Sequence, residues 1–190
     1  MGQFIVIVGP TASGKTVLIA EMLKRLPNAA RLVTTTTRPP RPGEKDGVDY
    51  FFISREAFEE GVQNGEFYEH AEVHGNLYGP SRKTVASILR KVDTVLATLD
   101  VQGARTLKRM DPSVRALFLR PGSLTELEQR LRRERPHCTD GEIRTRLATA
   151  ERELEVAGEF DHIIENIDGQ FELTVTQALF FVNESTTTRA

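Results

Sequence analysis

Phe4-Ile5-Val6-Ile7-Val8-Gly9-Pro10-Thr11-Ala12-Ser13-Gly14-Lys15-Thr16 is the stretch that decides the fold. Its first five residues are apolar and mostly β-branched, and they stop at Gly9-Pro10, as a strand buried on both faces of a parallel sheet does. After Gly14, the apolar residues Val17, Leu18, Ala20, Met22 and Leu23 recur at helical spacing as far as Leu26-Pro27. Between strand and helix, residues 9–16 fit G-x-x-x-x-G-K-[ST] in full. Glycines in such a loop let successive backbone N–H groups turn inward around phosphate oxygens, and the helix offers its positive end. The expected nucleoside triphosphate (ATP) contacts are Gly9, Pro10, Thr11, Ala12, Ser13, Gly14, Lys15, Thr16 and Val17. Lys15 would bring charge to the β- and γ-phosphates, and the Thr16 hydroxyl would ligate Mg²⁺. The loop by itself does not choose a substrate.

Outward from this loop, helices and strands alternate. A helix over 81–91 leads to a strand Thr94 to Leu99, and a helix over 101–109 to a strand Val114 to Leu119. A helix from Ser123 to about Arg133, another through Arg152, a strand His162 to Glu165 and a final helix over 169–182 complete the series. That alternation predicts an α/β fold of three layers around a largely parallel sheet. Residues 34–80 break the pattern, with short extended pieces (Asp49 to Ile53, Phe67 to Val73) around a helix starting near Ser54. They read as a small β-rich insert. The Ser/Thr-rich tail after Asn183 is expected to fray.

The composition is that of a soluble globular enzyme, with 190 residues, 39% hydrophobic and 27% charged. A net charge of −2 argues against a general nucleic-acid binder. A single cysteine, Cys138, excludes an internal disulfide and fits a reducing compartment. No signal-type run opens the chain and no window has the length of a membrane span, so the cytoplasm is the expected location and no membrane partner is expected. Four histidines, of which His70 and His74 could share a strand face, do not make a zinc site. Oligomeric state is open, a homodimer being one option.

Thr37-Arg38-Pro39-Pro40-Arg41-Pro42-Gly43-Glu44 sets two arginines three apart on a segment stiffened by prolines. Two guanidinium forks converging on one point would hold a phosphate bidentately, and the hydroxyls of Tyr50 and Tyr78 could complete the anion site. Arginines also crowd residues 130–146, between two helices, where a hinged segment could close over phosphates.

From here the resemblance becomes specific. Thr-Thr-Arg-x-x-Arg-x-Gly-Glu-x-Asp-Gly-x-Asp-Tyr, then Gly65-Glu66-Phe67 through Glu69, Val73-His74-Gly75, Tyr78-Gly79 and Asp100-Val101-Gln102-Gly103-Ala104 resemble the guanylate kinases, from the phosphate loop to about Asn166. The resemblance implies a P-loop nucleoside monophosphate kinase that moves the γ-phosphoryl of ATP onto GMP with Mg²⁺. It implies one domain with a core (1–33, 81–125 and 153–190), a GMP-binding insert (34–80) and a lid (about 126–152). It implies that Arg38, Arg41, Tyr50 and Tyr78 hold the GMP phosphate, and that Thr34, Glu69 and Asp100 face the guanine. Lys15, Arg38, Arg41, Arg135 and Arg146 would be catalytic, with Arg130 and Asn166 on the ATP side. A carboxylate at Glu69 can accept from both N1–H and the 2-amino group of guanine, a donor pair that adenine lacks.

Some positions depart from the family pattern. Pro80 stands where a Ser or Thr normally touches guanine, and Thr98 stands where an acid is usual. The run Arg133-Glu134-Arg135-Pro136-His137-Cys138 is one residue longer than usual, and Glu165 and Ile167 flank Asn166 atypically. Two other readings share the sequence: a same-fold kinase for another phosphorylated acceptor, such as another nucleotide or ribose 1,5-bisphosphate, and a non-catalytic binding module. The intact Gly14-Lys15-Thr16 opposes the second.

Overall fold

The computed structural model describes residues 2–73 and 75–187. His74, and with it the His70/His74 pairing, lies outside the described residues. The elements run β1 (Gln3–Val8), α1 (Lys15–Arg25), β2 (Ala29–Arg31), β3 (Thr35–Thr36), β4 (Phe51–Phe52), α2 (Arg55–Gln63), β5 (Ala71–Val73) and β6 (Asn76–Gly79). Then come α3 (Arg82–Leu89), β7 (Thr94–Thr98), α4 (Val101–Met110), β8 (Arg115–Pro121), α5 (Leu124–Glu134), α6 (Asp140–Glu155), β9 (His162–Asn166) and α7 (Phe171–Thr187).

Five strands form a parallel sheet in the order β2-β7-β1-β8-β9. Strand periodicity of two explains the three layers. Phe4, Val6 and Val8 of β1 pack to one side with Ala104 and Leu107 of α4 and Phe118 of β8. Ile5 and Ile7 pack to the other with Leu18, Ile19 and Met22 of α1 and with Val175 and Phe181 of α7. Every one of these β1 residues is buried, so the strand reads as a continuous apolar run rather than an alternating one. β1 is central, between β7 and β8, and the loops leaving the C-terminal ends of β1 and β7 open on the same edge. In open parallel sheets that edge is where ligands bind.

A second, four-stranded sheet (β4-β3-β6-β5) is mixed: β3 runs parallel to β4 and antiparallel to β6, which pairs antiparallel with β5. Its small core is Phe58, Phe67 and Leu77, with Phe58 and Phe67 stacked at 4.2 Å. Ser54 caps α2 by accepting from Ala57 N. Helices α5 and α6 form a separate pair around Leu127, Leu131, Ile143 and Ala150. Thr139 and Glu142 start α6 with a capping box, so the break at 135–139 is a sharp, defined turn.

The expected elements stand, with three differences. β2, β3 and β6 are strands that periodicity missed, because three or fewer residues, or the polar-edged Asn76–Gly79, carry no readable alternation. Only Phe51–Phe52 of the expected 49–53 piece and Ala71–Val73 of the expected 67–73 piece are ladder strand, Tyr50 and Phe67 making lone bridges to Asp46 and Ser81. The last helix reaches Thr187, past the expected 182, since the tail to that point holds no Pro or Gly to end it. Among the described residues, no helix is long and apolar enough to cross a membrane.

Candidate active site

The phosphate loop is built by backbone sterics. Gly9, Ala12 and Gly14 all have positive φ (142°, 58° and 97°). Ala12 is the one non-glycine among the described residues in that region, a conformation that costs energy and concentrates at functional loops. At Gly9 a Cβ would fall 2.4 Å from the Leu119 carbonyl oxygen, so only glycine lets β1 turn away beside β8. Lys15 opens α1 and folds back beneath the loop, its Nζ donating to Gly9 O and Pro10 O at 2.7 Å each. Burial pushes the Lys15 ammonium down to about 8, against the opposing pull of Glu153, Asp100 and Glu134. Thr16 and Val17 are exposed on the first turn of α1, and the buried Ser13 hydroxyl has no partner among the described residues.

Across an open cleft of about 480 Å³, the small sheet faces this loop. Arg38 Nη2 donates to both oxygens of Glu44 at 2.8 Å, and Arg41 N donates to Glu44 Oε2 at 2.7 Å. Glu44 thus fixes one arginine by its side chain and the other by its backbone, and both guanidinium groups border the cleft. The Arg38 guanidinium lies 5.5 Å from the Tyr50 ring centre, and Tyr50 meets Tyr78 edge-on at 5.9 Å. Thr34 lines the same space.

Glu69 is buried, yet its carboxylate accepts no hydrogen bond among the described residues. Desolvation, with the Asp100 charge adding to it, pushes its carboxyl up to about 7. Asp100 caps α4, accepting from Gly103 N at 2.7 Å. A mostly buried carboxylate on the wall of an open cleft, with no donor on it among the described residues, is placed to receive donors from outside.

Of the arginine-rich stretch, Arg135 and Arg146 border the cleft. Arg130 is placed differently. It is buried behind the loop, with Nε and Nη2 on Asp168 Oδ1 (2.9 and 2.6 Å) and Nη2 on Asn166 O at 2.7 Å. Asn166 Nδ2 in turn donates to Ser13 O at 2.8 Å. Asn166, held by Arg130, therefore braces the phosphate loop from the C-terminal end of β9. The core of the α5–α6 pair also touches the loop, through Ala12. Asn166→Ala is expected to cost about 1–2 kcal/mol of stability by orphaning a buried carbonyl, and to raise the KM for ATP several-fold. Thermal melts beside ATP titrations check this; unchanged values in both would remove the brace.

The profile of the guanylate kinase family matches residues 1–182 of this sequence. This chain belongs to the guanylate kinase family. It is 41% identical over 177 residues to the guanylate kinase of Thermotoga maritima, covering 92% of this chain and 85% of that protein. It is also 41% identical over 180 residues to the guanylate kinase of Thermosynechococcus vestitus, covering 95% and 94%. The crystal structure of guanylate kinase from Anaplasma phagocytophilum superposes with a TM-score of 0.75 at 31% identity, covering 97% of this chain and 86% of that one. The α/β fold with its five-stranded parallel sheet and small mixed sheet is that of a guanylate kinase.

In this family member one cleft gathers Gly9, Thr11, Lys15, Thr34, Arg38, Arg41, Tyr50, Glu69, Tyr78, Asp100, Arg135 and Arg146. Pro10, Ala12, Ser13 and Gly14 belong to the loop, Thr16 and Val17 to the first turn of α1, and Arg130 and Asn166 to the brace behind Ser13; none of these lines that space. Two further charged residues, Glu44 and Glu153, border the cleft without a role legible in the sequence. Glu44 could have been suspected from its place three residues after Arg41. Glu153, two turns after Arg146 on α6, looks in the sequence like any helix-face acid, and only packing turns it toward Lys15 and Asp100. Pro80 is buried, and its carbonyl accepts from Tyr68 N at 3.0 Å, closing the small sheet.

Proposed function

We propose that the chain is a cytoplasmic kinase that moves the γ-phosphoryl of ATP directly onto GMP, giving ADP and GDP. The observation that carries this is the single cleft with the Lys15 loop on one wall and Arg38, Arg41 and Glu69 on the other. One wall suits a triphosphate; the other suits a phosphate and a base bearing two adjacent donors. Arg38 and Arg41, with the Tyr50 and Tyr78 hydroxyls, hold the GMP phosphate; Glu69, Thr34 and Asp100 face the guanine. A bound base would supply the donors that the Glu69 carboxylate lacks.

A phosphate oxygen of GMP is already an anionic nucleophile and needs no strong general base. It attacks the γ-phosphorus in line while the bond to the β,γ-bridging oxygen breaks and ADP leaves with that electron pair. Lys15, Arg135 and Arg146 offset the charge on the moving phosphoryl, and Arg38 and Arg41 keep the acceptor aligned. The α5–α6 segment acts as the lid that brings Arg135 and Arg146 onto the phosphates and excludes water, and the small sheet acts as the acceptor-binding insert. The site fits Mg²⁺ through hard oxygen donors: the exposed Thr16 hydroxyl beside Lys15, and Asp100 on the cleft wall. Bound with ATP, Mg²⁺ would lower the charge on the β- and γ-phosphate oxygens.

A coupled ADP-release assay with ATP, Mg²⁺ and GMP, run beside AMP, CMP, UMP and ribose 1,5-bisphosphate, tests the proposal. Turnover with GMP alone is expected. Turnover preferring another acceptor would keep the mechanism and overturn the substrate; GMP binding without turnover would make the chain a binding module.

A further inference from the structure

Glu69 is fitted into the fold by two absent side chains. A Cβ on Gly79 would fall 2.5 Å from the Glu69 carbonyl oxygen. At the other end, a Cβ on Gly103 would fall 2.8 Å from Glu69 Oε1 and 3.1 Å from its Cδ, with Asp100 Oδ1 at 3.3 Å. Gly103 is the third residue of α4, and its N–H donates to the Asp100 cap. Its φ is not positive, so its backbone conformation is open to any residue. Glycine disfavours a helix interior relative to alanine, so α4 itself gains nothing from it. What uses the glycine is the carboxylate lying against the first turn of α4.

We propose that Gly103 is a specificity-determining positioning residue: its missing side chain is the space in which the Glu69 carboxylate is held at the angle that reads guanine. The inference rests on Glu69 as the guanine reader. A contact of 2.8 Å has to be relieved, and the cheapest movement is rotation of the flexible end of Glu69, not displacement of α4 or its capped turn. The added Cβ also lies 3.3 Å from Asp100 Oδ1, and the like charge of Asp100 opposes movement of the carboxylate toward it. A paired acceptance from two neighbouring donors depends on distance and direction together, so a shifted carboxylate keeps one bond at most. The fold bears the change; the recognition does not.

The test is Gly103→Ala in the full chain, with GMP affinity read by calorimetry and turnover measured alongside. Gly103→Ala is expected to weaken GMP binding and raise its KM about tenfold, one lost hydrogen bond to a charged group. KM for ATP and kcat should stay within about twofold and the melting temperature should hold or rise. In a Glu69→Gln background the same substitution should add less than about twofold, because the two residues act as one unit. Unchanged GMP affinity in Gly103→Ala would overturn the inference, as would a full tenfold loss persisting beside Glu69→Gln. If the parent binds GMP without phosphorylating it, the kinase reading fails while the calorimetric comparison still decides the role of Gly103. A parent that binds no GMP overturns both.

Discussion

Replacing Lys15 with alanine is expected to lower kcat for GMP phosphorylation at least about a thousandfold, which corresponds to about 4 kcal/mol of transition-state stabilisation. The ammonium is not a free surface charge: it is tethered at 2.7 Å to both Gly9 O and Pro10 O, beneath the turn that would hold the phosphates. Charge placed there in advance costs no reorganisation as the phosphoryl moves, and Lys15 is the only cation in the sequence of the loop, residues 9–16. The bonds lost to Gly9 O and Pro10 O are offset by relief of the desolvation that holds the ammonium down to about 8, so the melting temperature should change by only a few degrees. Steady-state kinetics beside thermal melts separate the two effects. A Lys15→Ala protein retaining a tenth of parental kcat would show that the loop binds the triphosphate without stabilising its transfer.

The second large effect is expected at Glu69, with opposite signs for function and stability. Glu69→Gln should raise the KM for GMP about a hundredfold, since the amide offers a donor where guanine also presents donors, and charge-assisted bonds of about 1.5–3 kcal/mol are lost. The same change should stabilise the free protein. Burial first, and the Asp100 charge second, hold the folded Glu69 carboxyl near 7 against an ordinary 4.5. Between those values the native state binds the extra proton, so stability falls as pH rises through the window and stays reduced above it. Glu69→Gln is thus expected to be more stable by about 1–3 kcal/mol at pH 8, with the gain gone below about pH 4.5.

Binding follows from the same titration. GMP needs the ionised carboxylate, so the parental affinity should weaken as pH drops below 7, beyond the weakening caused by titration of GMP's own phosphate. Glu69→Gln retains the phosphate contribution and loses the rest, so the difference between the two pH profiles isolates Glu69. Identical profiles, with no stability gain at pH 8, would remove this carboxylate from base recognition. A buried carboxylate kept at a cost in stability is what a binding site that trades stability for recognition predicts.

The sequence alone determined the central strand, the phosphate loop and the three-layer α/β order. Each rests on local physics: Phe4 to Val8 is a short, mostly β-branched apolar run stopped by Gly9-Pro10, which reads as a doubly buried strand, and Gly9, Gly14 and Lys15 sit at the spacing a phosphate cradle requires. The Arg38/Arg41 pair was legible as chemistry, through residue type and the proline-stiffened segment that carries it, whereas Glu69 was singled out only by the resemblance to the guanylate kinases. Short strands escaped because a ladder of two or three residues is set by its partners, as Thr35–Thr36 is by Phe51–Phe52 on one side and Tyr78–Gly79 on the other.

Only the tertiary structure decided what faces what. It put Arg135 and Arg146 on the cleft and sent Arg130 behind the loop to Asp168, although all three belong to one arginine-rich run. It turned Glu153 toward Lys15, joined Asn166 to Ser13 across 153 residues of chain, and pressed Gly103 against Glu69. Periodicity and spacing report which face of its own element a residue occupies. Whether that face meets a phosphate, a carboxylate or a neighbouring helix depends on long-range packing, for which one strand or helix carries no local signal.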